Sequence, residues 1–397
     1  MLPEVSKLKQ FIVNECSLIN SNIIERERNL DSKQLICYLS NSVSRNGNNM
    51  EALTSLQATG IINVTRQAVE KKLELLTKGS LDDFLINFRK HIYENGLMKS
   101  GNLFAVDGTK IAINKNSDYF KLTGNGNYKL GLVNTIYSLD NKIPIAYDLT
   151  EEMNEIKSFI VNLIKYVKEN DTVVFDRGYY SVDLINTIHD NGSFFVCRMK
   201  KSSLLVKYME ENDIYDSIQY VHGYGIIRTV KYVINNNSFY MSTNEFRYDI
   251  DYFKKLYHDR WQIEEFYKTI KCNMGLIKMN SIKILNIHHK LITQFIVATL
   301  ARYLEELAQK YVKKLTNPNR SINHKKSIFL IGTKTIILLL YRGSIKKILN
   351  HFKLILKDLV NSAPNRHFKR TCIRLLSNWY LYDKNKDLLS TNNTEIT

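Results

Sequence analysis

A change of hydrophobic period is the feature that most constrains how this 397-residue chain folds. Up to about residue 96 the apolar residues recur at helical spacing, with few strand-forming runs. After Gly101 the pattern becomes "LFAVDGTK", "IAIN", "YKLGLVNTIYSL" and "KIPIAYDL", apolar or alternating runs that predict strands. "TEEMNEIKSFIVNLIKYVKEN" predicts an amphipathic helix, "TVVFDRGYY" a buried strand ending at Asp176, "SVDLINTIHDNG" a helix, and "SFFVCRM" another strand. Three strands, helix, strand, helix, strand is an α/β order with a mixed central sheet. Residues 200–243 predict short strands and turns, a β insertion ahead of a long helix. Helical patterns continue to about residue 382, and "STNNTEIT" predicts a frayed tail. The chain thus divides into a helical N-terminal region over 1–96, an α/β domain over 97–312 and a basic helical region over 313–397.

Composition narrows the functional classes. Lys and Arg outnumber Asp and Glu by 56 to 39, a formal net charge of +17. Such an excess favours a polyanionic partner, most often nucleic acid, although A/T-rich codon usage also raises Lys. The five cysteines, Cys16, Cys37, Cys197, Cys272 and Cys372, are odd in number and scattered, without the close pairs of zinc or redox motifs. They predict reduced, mostly buried thiols in a cytoplasmic protein. The N-terminal stretch lacks the apolar core of a signal peptide. "IFLIGTKTIILLLY" from Ile328 is broken by Gly332 and Lys334 and falls short of the roughly 20 residues that span a bilayer, so it predicts a buried helix and no membrane partner.

Several motifs carry weaker readings. "TSLQATGIINVTRQAVEKKLELL", Thr54 to Leu76, has the form of a helix-turn-helix with its turn at Gly60; its second helix would present Thr65, Arg66, Gln67 and Lys71 to a DNA groove. An ordinary helical hairpin fits the same pattern equally well. "GNGNYK" from Gly124 lacks the third glycine of a dinucleotide loop and predicts a turn. His288 and His289, being adjacent, fall on different helix faces and do not share a metal. Between Arg320 and Arg370, twelve Lys or Arg stand against the single acid Asp358, which predicts a DNA-facing helical surface.

Three acids are placed where an α/β fold exposes function. Asp107 and Asp176 both end apolar runs and precede glycine-containing segments, "DGT" and "DRG", at the sheet edge where ligands bind. Either alone is more simply a turn residue. The third lies in "YHDRWQIEEFYKTIK", where Tyr257, Glu264 and Lys271 are seven apart, and Arg260 and Lys268 flank Glu264 at four. On one helix these share a face. Spacing alone leaves a salt-bridged surface stripe and a carboxylate among phosphate-binding cations on equal terms. Trp261, about 100° around the helix from Arg260, is expected in the core.

Taken together, Tyr257, Arg260, Glu264 and Lys271 match Y-x2-R-x3-E-x6-K, and the segment resembles that of bacterial DDE transposases of the insertion-sequence-four family. "VDGT" and "DRGYYS" resemble the family's other two acidic motifs, so the resemblance covers roughly residues 100–310. It implies an RNase H-like core with Asp107 on the first strand, Asp176 on the fourth and Glu264 on a helix beyond the β insertion. It implies two Mg²⁺ ions, replaceable by Mn²⁺, held by these carboxylates, with Asp107 bridging both. Tyr257, Arg260, Lys268 and Lys271 would contact phosphates, and Arg66 and Gln67 the duplex. The implied activity is cleavage at the terminal inverted repeats of an insertion sequence and joining of the 3′-hydroxyls to target DNA. The implied assembly is a homodimer acting in the bacterial cytoplasm, at the nucleoid. The alternatives are a metal-dependent nuclease of the same fold and an inactive, domesticated DNA-binding protein. Arg177, Gly178 and Tyr179 are expected to shape the turn after Asp176. Glu155 matches a family position only loosely and is expected as an exposed helix residue. Some relatives hold a flipped base on a tryptophan of the β insertion; this chain has none there, and Phe239, Tyr240 and Phe246 are the aromatic substitutes.

Overall fold

The computed structural model describes residues 2–361 apart from 24–29, 97, 99, 118, 123–127, 235, 280, 312–319, 343 and 358. The N-terminal region is helical as its period predicts: α1 (Leu2–Ile23), α2 (Ser32–Ser44), α3 (Asn49–Ala58), α4 (Arg66–Leu73) and α5 (Lys78–Glu94). Local chemistry sets these boundaries. Asp31 and Gln34 form a reciprocal capping box at the start of α2, and the Asn48, Thr65 and Thr77 side chains cap α3, α4 and α5. Gly60, at φ +69°, makes the turn between α3 and α4 in a conformation that favours glycine.

Strands β1 (Leu103–Ile113), β2 (Lys129–Ser138) and β3 (Ile143–Thr150) follow, then the short helix α6 (Glu155–Ser158). The segment "EIKSFIVNLIKY" does not form one regular helix: α6 passes into a π-helical turn at Phe159–Leu163 and a 3₁₀ turn at Ile164–Tyr166. After these come β4 (Thr172–Phe175), α7 (Val182–Asp190), β5 (Phe194–Arg198), α8 (Leu204–Glu211), β6 (Asp216–Val221), β7 (Gly225–Ile234) and β8 (Asn237–Thr243). The chain continues through α9 (Ile250–Asp259), α10 (Trp261–Asn273), the two-residue strand β9 (Lys278–Met279) and α11 (Ile284–Tyr311).

The sheet order is β3-β2-β1-β4-β5-β8-β7-β6, with β9 added to the distal half of β1. β2 is antiparallel to both neighbours, while β1, β4 and β5 run parallel. This is the mixed sheet expected from the order of elements, and it is consistent with the RNase H-like core that the resemblance implies. The insertion does not stand apart. It begins with α8, where the sequence predicts only turns and short strands, and β8 then pairs antiparallel with β5, extending the same sheet by three strands.

Helices cover both faces of the central sheet. One core joins α1–α5 to one sheet face and to α9, α10 and α11; a second fills the opposite face beneath α6 and α7. Alternation along β1 divides it between them, with Ala105 in the first core and Phe104 and Val106 in the second. The Ile328 segment is helical and Ile328, Leu330, Ile331, Leu339 and Leu340 are buried, as expected. Among the described residues no helix is long and apolar enough to cross a membrane. Cys16, Cys37 and Cys197 are buried and Cys272 is exposed. Residues 124–127 of the "GNGNYK" turn, Cys372, the basic positions beyond 361 and the polar tail lie outside the described residues.

One hydroxyl ties the layers together. Tyr267 of α10 is 5% exposed, and its hydroxyl lies 2.6 Å from the Asp107 carbonyl oxygen and 3.2 Å from that of Val133. Removing it strands buried acceptors, a loss of about 1–2 kcal/mol. Tyr267→Phe is therefore expected to lower the urea midpoint by that equivalent with an unchanged m-value; an unmoved midpoint would mean that the bond contributes nothing.

Candidate active site

β1 lies beside β4 only from Leu103↔Thr172 to Val106↔Phe175, and next gains a parallel neighbour at Ala112↔Lys278. Between those points its sole strand partner is β2, so β1 and β4 part at Asp107 and Asp176. Asp107 therefore sits in mid-strand, not at a strand end, and "DGT" is not a turn. Asp176 does follow the last residue of β4, and Arg177–Tyr179 form a 3₁₀ turn after it with Tyr179 buried, as expected. The gap lies at the carboxyl end of β4, the usual ligand position in open α/β sheets.

The Tyr257–Lys271 segment is not one helix. α9 ends at Asp259, α10 starts at Trp261, and Arg260 is the junction. From the last turn of α9, Tyr257 donates its hydroxyl to Asp176 Oδ1 at 2.8 Å. From the junction, Arg260 Nη2 donates to Glu264 Oε1 at 2.6 Å. The guanidinium also lies 5.2 Å from the centre of the Tyr257 ring. Arg260 is 7% exposed, and its Nε is buried without a hydrogen-bond partner. A buried guanidinium with a spare N–H is prepared for an anionic oxygen.

Electrostatics join the three acids. Burial pushes the Asp107 carboxyl up to about 7; Arg260 opposes this, and the charges of Glu155 and Glu264 add to it. Burial also acts to raise Asp176, but the Arg177 backbone N–H, the Tyr257 hydroxyl and the charges of Arg260 and Arg198 outweigh it and hold this carboxyl below its usual range. Burial disfavours the Arg260 charge as well, yet Tyr257, Glu264 and Asp176 more than compensate and raise its pKa. Arg260 thus interacts with all three carboxylates at once.

The other expected site residues separate. Lys271 is half-buried; burial lowers its pKa and the nearby Asp107 charge opposes that. Lys268 is exposed and pairs with Glu265 at 3.6 Å. Arg66 and Gln67 are exposed on α4, which packs through Val69 and Leu73; Arg66 binds Glu70 at 2.7 Å, and neither residue contacts the carboxylates. His288 and His289 do diverge, the former to the Tyr147 hydroxyl and the latter to the Leu76 carbonyl. Trp261 is 44% exposed, not in the core, and its indole N–H lies 3.3 Å from Glu265 Oε1. With Gln262, Phe266 and Arg302 it lines a cleft of about 410 Å³ on the face of α10 opposite Glu264. None of Asp107, Asp176 and Glu264 lines it.

Two further charged residues lie near the acids. Arg198, the last residue of β5, lies 6.0 Å from the Tyr257 ring and 5.0 Å from that of Phe239, and its charge acts on Asp176. A lone charge closing the buried run "SFFVC" beside the Asp176 strand is the available clue. Glu155 is half-buried and packs against Gly108, which corrects its expected place as an exposed helix residue. Of the aromatic substitutes in the insertion, Tyr240 is 1% exposed and bonded to Glu210, and Phe239 stacks on Tyr232 beneath Arg198. Phe246, 44% exposed, is the one of the three with an open ring.

As they stand, no three His, Cys, Asp or Glu side chains among the described residues are arranged to hold a metal ion. The donor chemistry nevertheless fits a hard divalent cation: the groups are carboxylates, and Asp107 carries a burial penalty and like-charge repulsion that a cation would relieve. Half-buried acids stand where two parallel strands part, on a mixed α/β sheet with helices on both faces. The transposase DDE domain family model matches residues 99–300, just over half the chain, and the protein belongs to that family. Transposases of this kind act on DNA and generally use divalent metal ions. No curated protein matches the sequence.

Because Asp107 is raised from 3.8 to about 7, the folded chain retains a proton that the unfolded chain has lost over that interval. Stability attributable to this group therefore falls as pH rises from about 4 to 7 and is fully lost above it. In EDTA, Asp107→Asn should stabilise the protein at pH 8 by about 2 kcal/mol, allowing for partial exposure, and much less at pH 5. Thermal melts of both proteins across that range check this; a gain independent of pH would contradict it.

Proposed function

We propose that this protein is an insertion-sequence transposase of the insertion-sequence-four type, with Asp107, Asp176 and Glu264 as its catalytic carboxylates. The observation that carries the reading is that these acids, from β1, the end of β4 and α10, all interact with the buried guanidinium of Arg260. Water attacks the phosphodiester at an element end and the P–O3′ bond to the element breaks, leaving a 3′-hydroxyl. That hydroxyl then attacks a target phosphodiester in line, forming a new P–O3′ bond to the element as the target's own P–O3′ bond breaks and its 3′-hydroxyl leaves. Divalent cations bound by the three carboxylates, Mg²⁺ or Mn²⁺, would supply charge stabilisation and lower the pKa of the attacking oxygen.

The chain's own groups place the phosphate. The free Nε of Arg260 and the half-buried Lys271 offer donors beside the carboxylates. Tyr257 orients Asp176 through its hydroxyl while its ring lies near Arg260 and Arg198. Arg198 adds a third cation at the edge of the β insertion. Exposed Arg66 and Gln67 on the second helix of the N-terminal pair would contact the duplex, and two copies would bring the two element ends together.

The test uses duplexes carrying the element's terminal repeats and a target plasmid, with Mg²⁺ or EDTA. The wild type should nick the ends and transfer strands only with Mg²⁺, and Glu264→Gln should lose both activities while retaining end binding. Cleavage without joining would indicate a nuclease instead, and equal inactivity of wild type and variant would remove the catalytic role of Glu264. In the same binding assay, Arg198→Ala should reduce the magnitude of the log K against log[salt] slope by about 0.9, the loss of one phosphate contact. An unchanged slope would place Arg198 off the DNA.

A further inference from the structure

Where β1 parts from β4, side chains approach its backbone from two different helices: Tyr267 of α10 at the Asp107 carbonyl and Glu155 of α6 at Gly108. By the alternation that divides β1 between the two cores, Asp107 belongs to the α10 face and Gly108 to the α6 face. A Cβ on Gly108 would lie 2.5 Å from Cδ and Oε1 of Glu155, a separation that real side chains do not adopt. The Glu155 carboxyl group therefore lies directly on the backbone next to Asp107, and glycine permits the approach. Gly108 is in mid-strand and is not among the residues with positive φ, so close contact, not a turn, requires glycine there.

Buried polar groups hold Glu155 in place. Asn134, fully buried on β2 and directly across from Gly108, donates Nδ2 to the Glu155 carbonyl at 2.8 Å and to Ser158 Oγ at 3.2 Å. Its Oδ1 accepts from the buried Tyr179 hydroxyl at 3.2 Å, linking Glu155 to the turn that follows Asp176. The Asn154 side chain caps α6 by accepting from the Lys157 N–H at 3.0 Å, which fixes Glu155 as the first helical residue. A surface acid needs none of this support, and an acid held beside Asp107 is repelled by it unless positive charge sits between them.

We propose that Glu155 is a fourth carboxylate of the cation site, reaching an ion held by Asp107 from the opposite face of the sheet. This rests on the reading of Asp107, Asp176 and Glu264 as the cation ligands. Its chemistry is that of a hard oxygen donor for Mg²⁺ or Mn²⁺. Its role is positional: it sets the affinity and placement of the ion, while Asp107 remains the group shared with the α10 face.

Calorimetric titration of Mn²⁺ into the full-length, DNA-free protein tests this, with thermal melts in EDTA confirming that each variant is folded. Glu155→Gln should weaken Mn²⁺ binding by about tenfold or more, and Asp107→Asn should do likewise. If Asp107→Asn weakens binding and Glu155→Gln matches the wild type, Glu155 is only structural and the proposal fails while the three-acid reading stands. If neither variant changes Mn²⁺ binding, the reading of these carboxylates as a cation site fails and takes the proposal with it. Should Glu155→Gln not fold, Glu155→Ala, which retains the carbonyl bound by Asn134, is titrated instead; weakened binding would support the proposal and wild-type binding would overturn it.

Discussion

The arrangement depends on one buried charge. Asp107, Asp176 and Glu264 come from elements far apart in sequence, and carboxylates gathered at a partly buried gap repel one another. Arg260 offsets that repulsion from a site 7% exposed, where burying a guanidinium is itself costly. Its pair with the half-exposed Glu264 is weak evidence for stability and better evidence for placement. Its position at the junction of α9 and α10 matters as much as its charge. In the last turn before the junction, α9 aims Tyr257 at Asp176; in the first turn after it, α10 brings Glu264 onto the guanidinium.

The sheet provides the opening into which these groups reach. β4 is four residues long and fully buried, so its pairing with β1 stops as soon as the apolar run "TVVF" ends. β1 continues for seven residues beyond Val106, with the later support of β9. The mismatch in length creates the gap. The core that joins α1–α5 to α9, α10 and α11 then fixes one wall of it, since Tyr267 and Ile263 of α10 are buried in the same apolar mass as the N-terminal helices. The change of element type near residue 96 is therefore not a break in packing.

Much of this is legible in the sequence, because periodicity and strand composition report burial. The order of β1–β5 carries through to the folded chain, and so does the placing of Asp107 and Asp176 on neighbouring strands; the single helix expected from Tyr257 to Lys271 does not. What fails does so for tertiary reasons. Continuous helical spacing across Arg260 conceals a junction, because each half keeps its own apolar stripe. Trp261 belongs inside by virtue of its size, but that face of α10 borders an open cleft. Gly108 resembles a turn glycine, and Glu155 a surface acid, because the contact that explains both crosses 47 residues and two elements. Arg198 needs β5 to be placed next to β4 before its charge acquires a neighbour.

The charge distribution bears on how such a site meets DNA. The chain as a whole carries +17, which draws a polyanion to its surface at long range. At the gap the local balance reverses: Asp107, Asp176, Glu264 and Glu155 stand against Arg260, Arg198 and Lys271. Once Asp107 has ionised, above about pH 7, a phosphodiester approaching this point meets net negative charge at short range. General attraction and local repulsion can coexist only if positive charge enters with or before the scissile phosphate. On the proposed reading, the same carboxylates that oppose a bare phosphate are the groups suited to hold that positive charge.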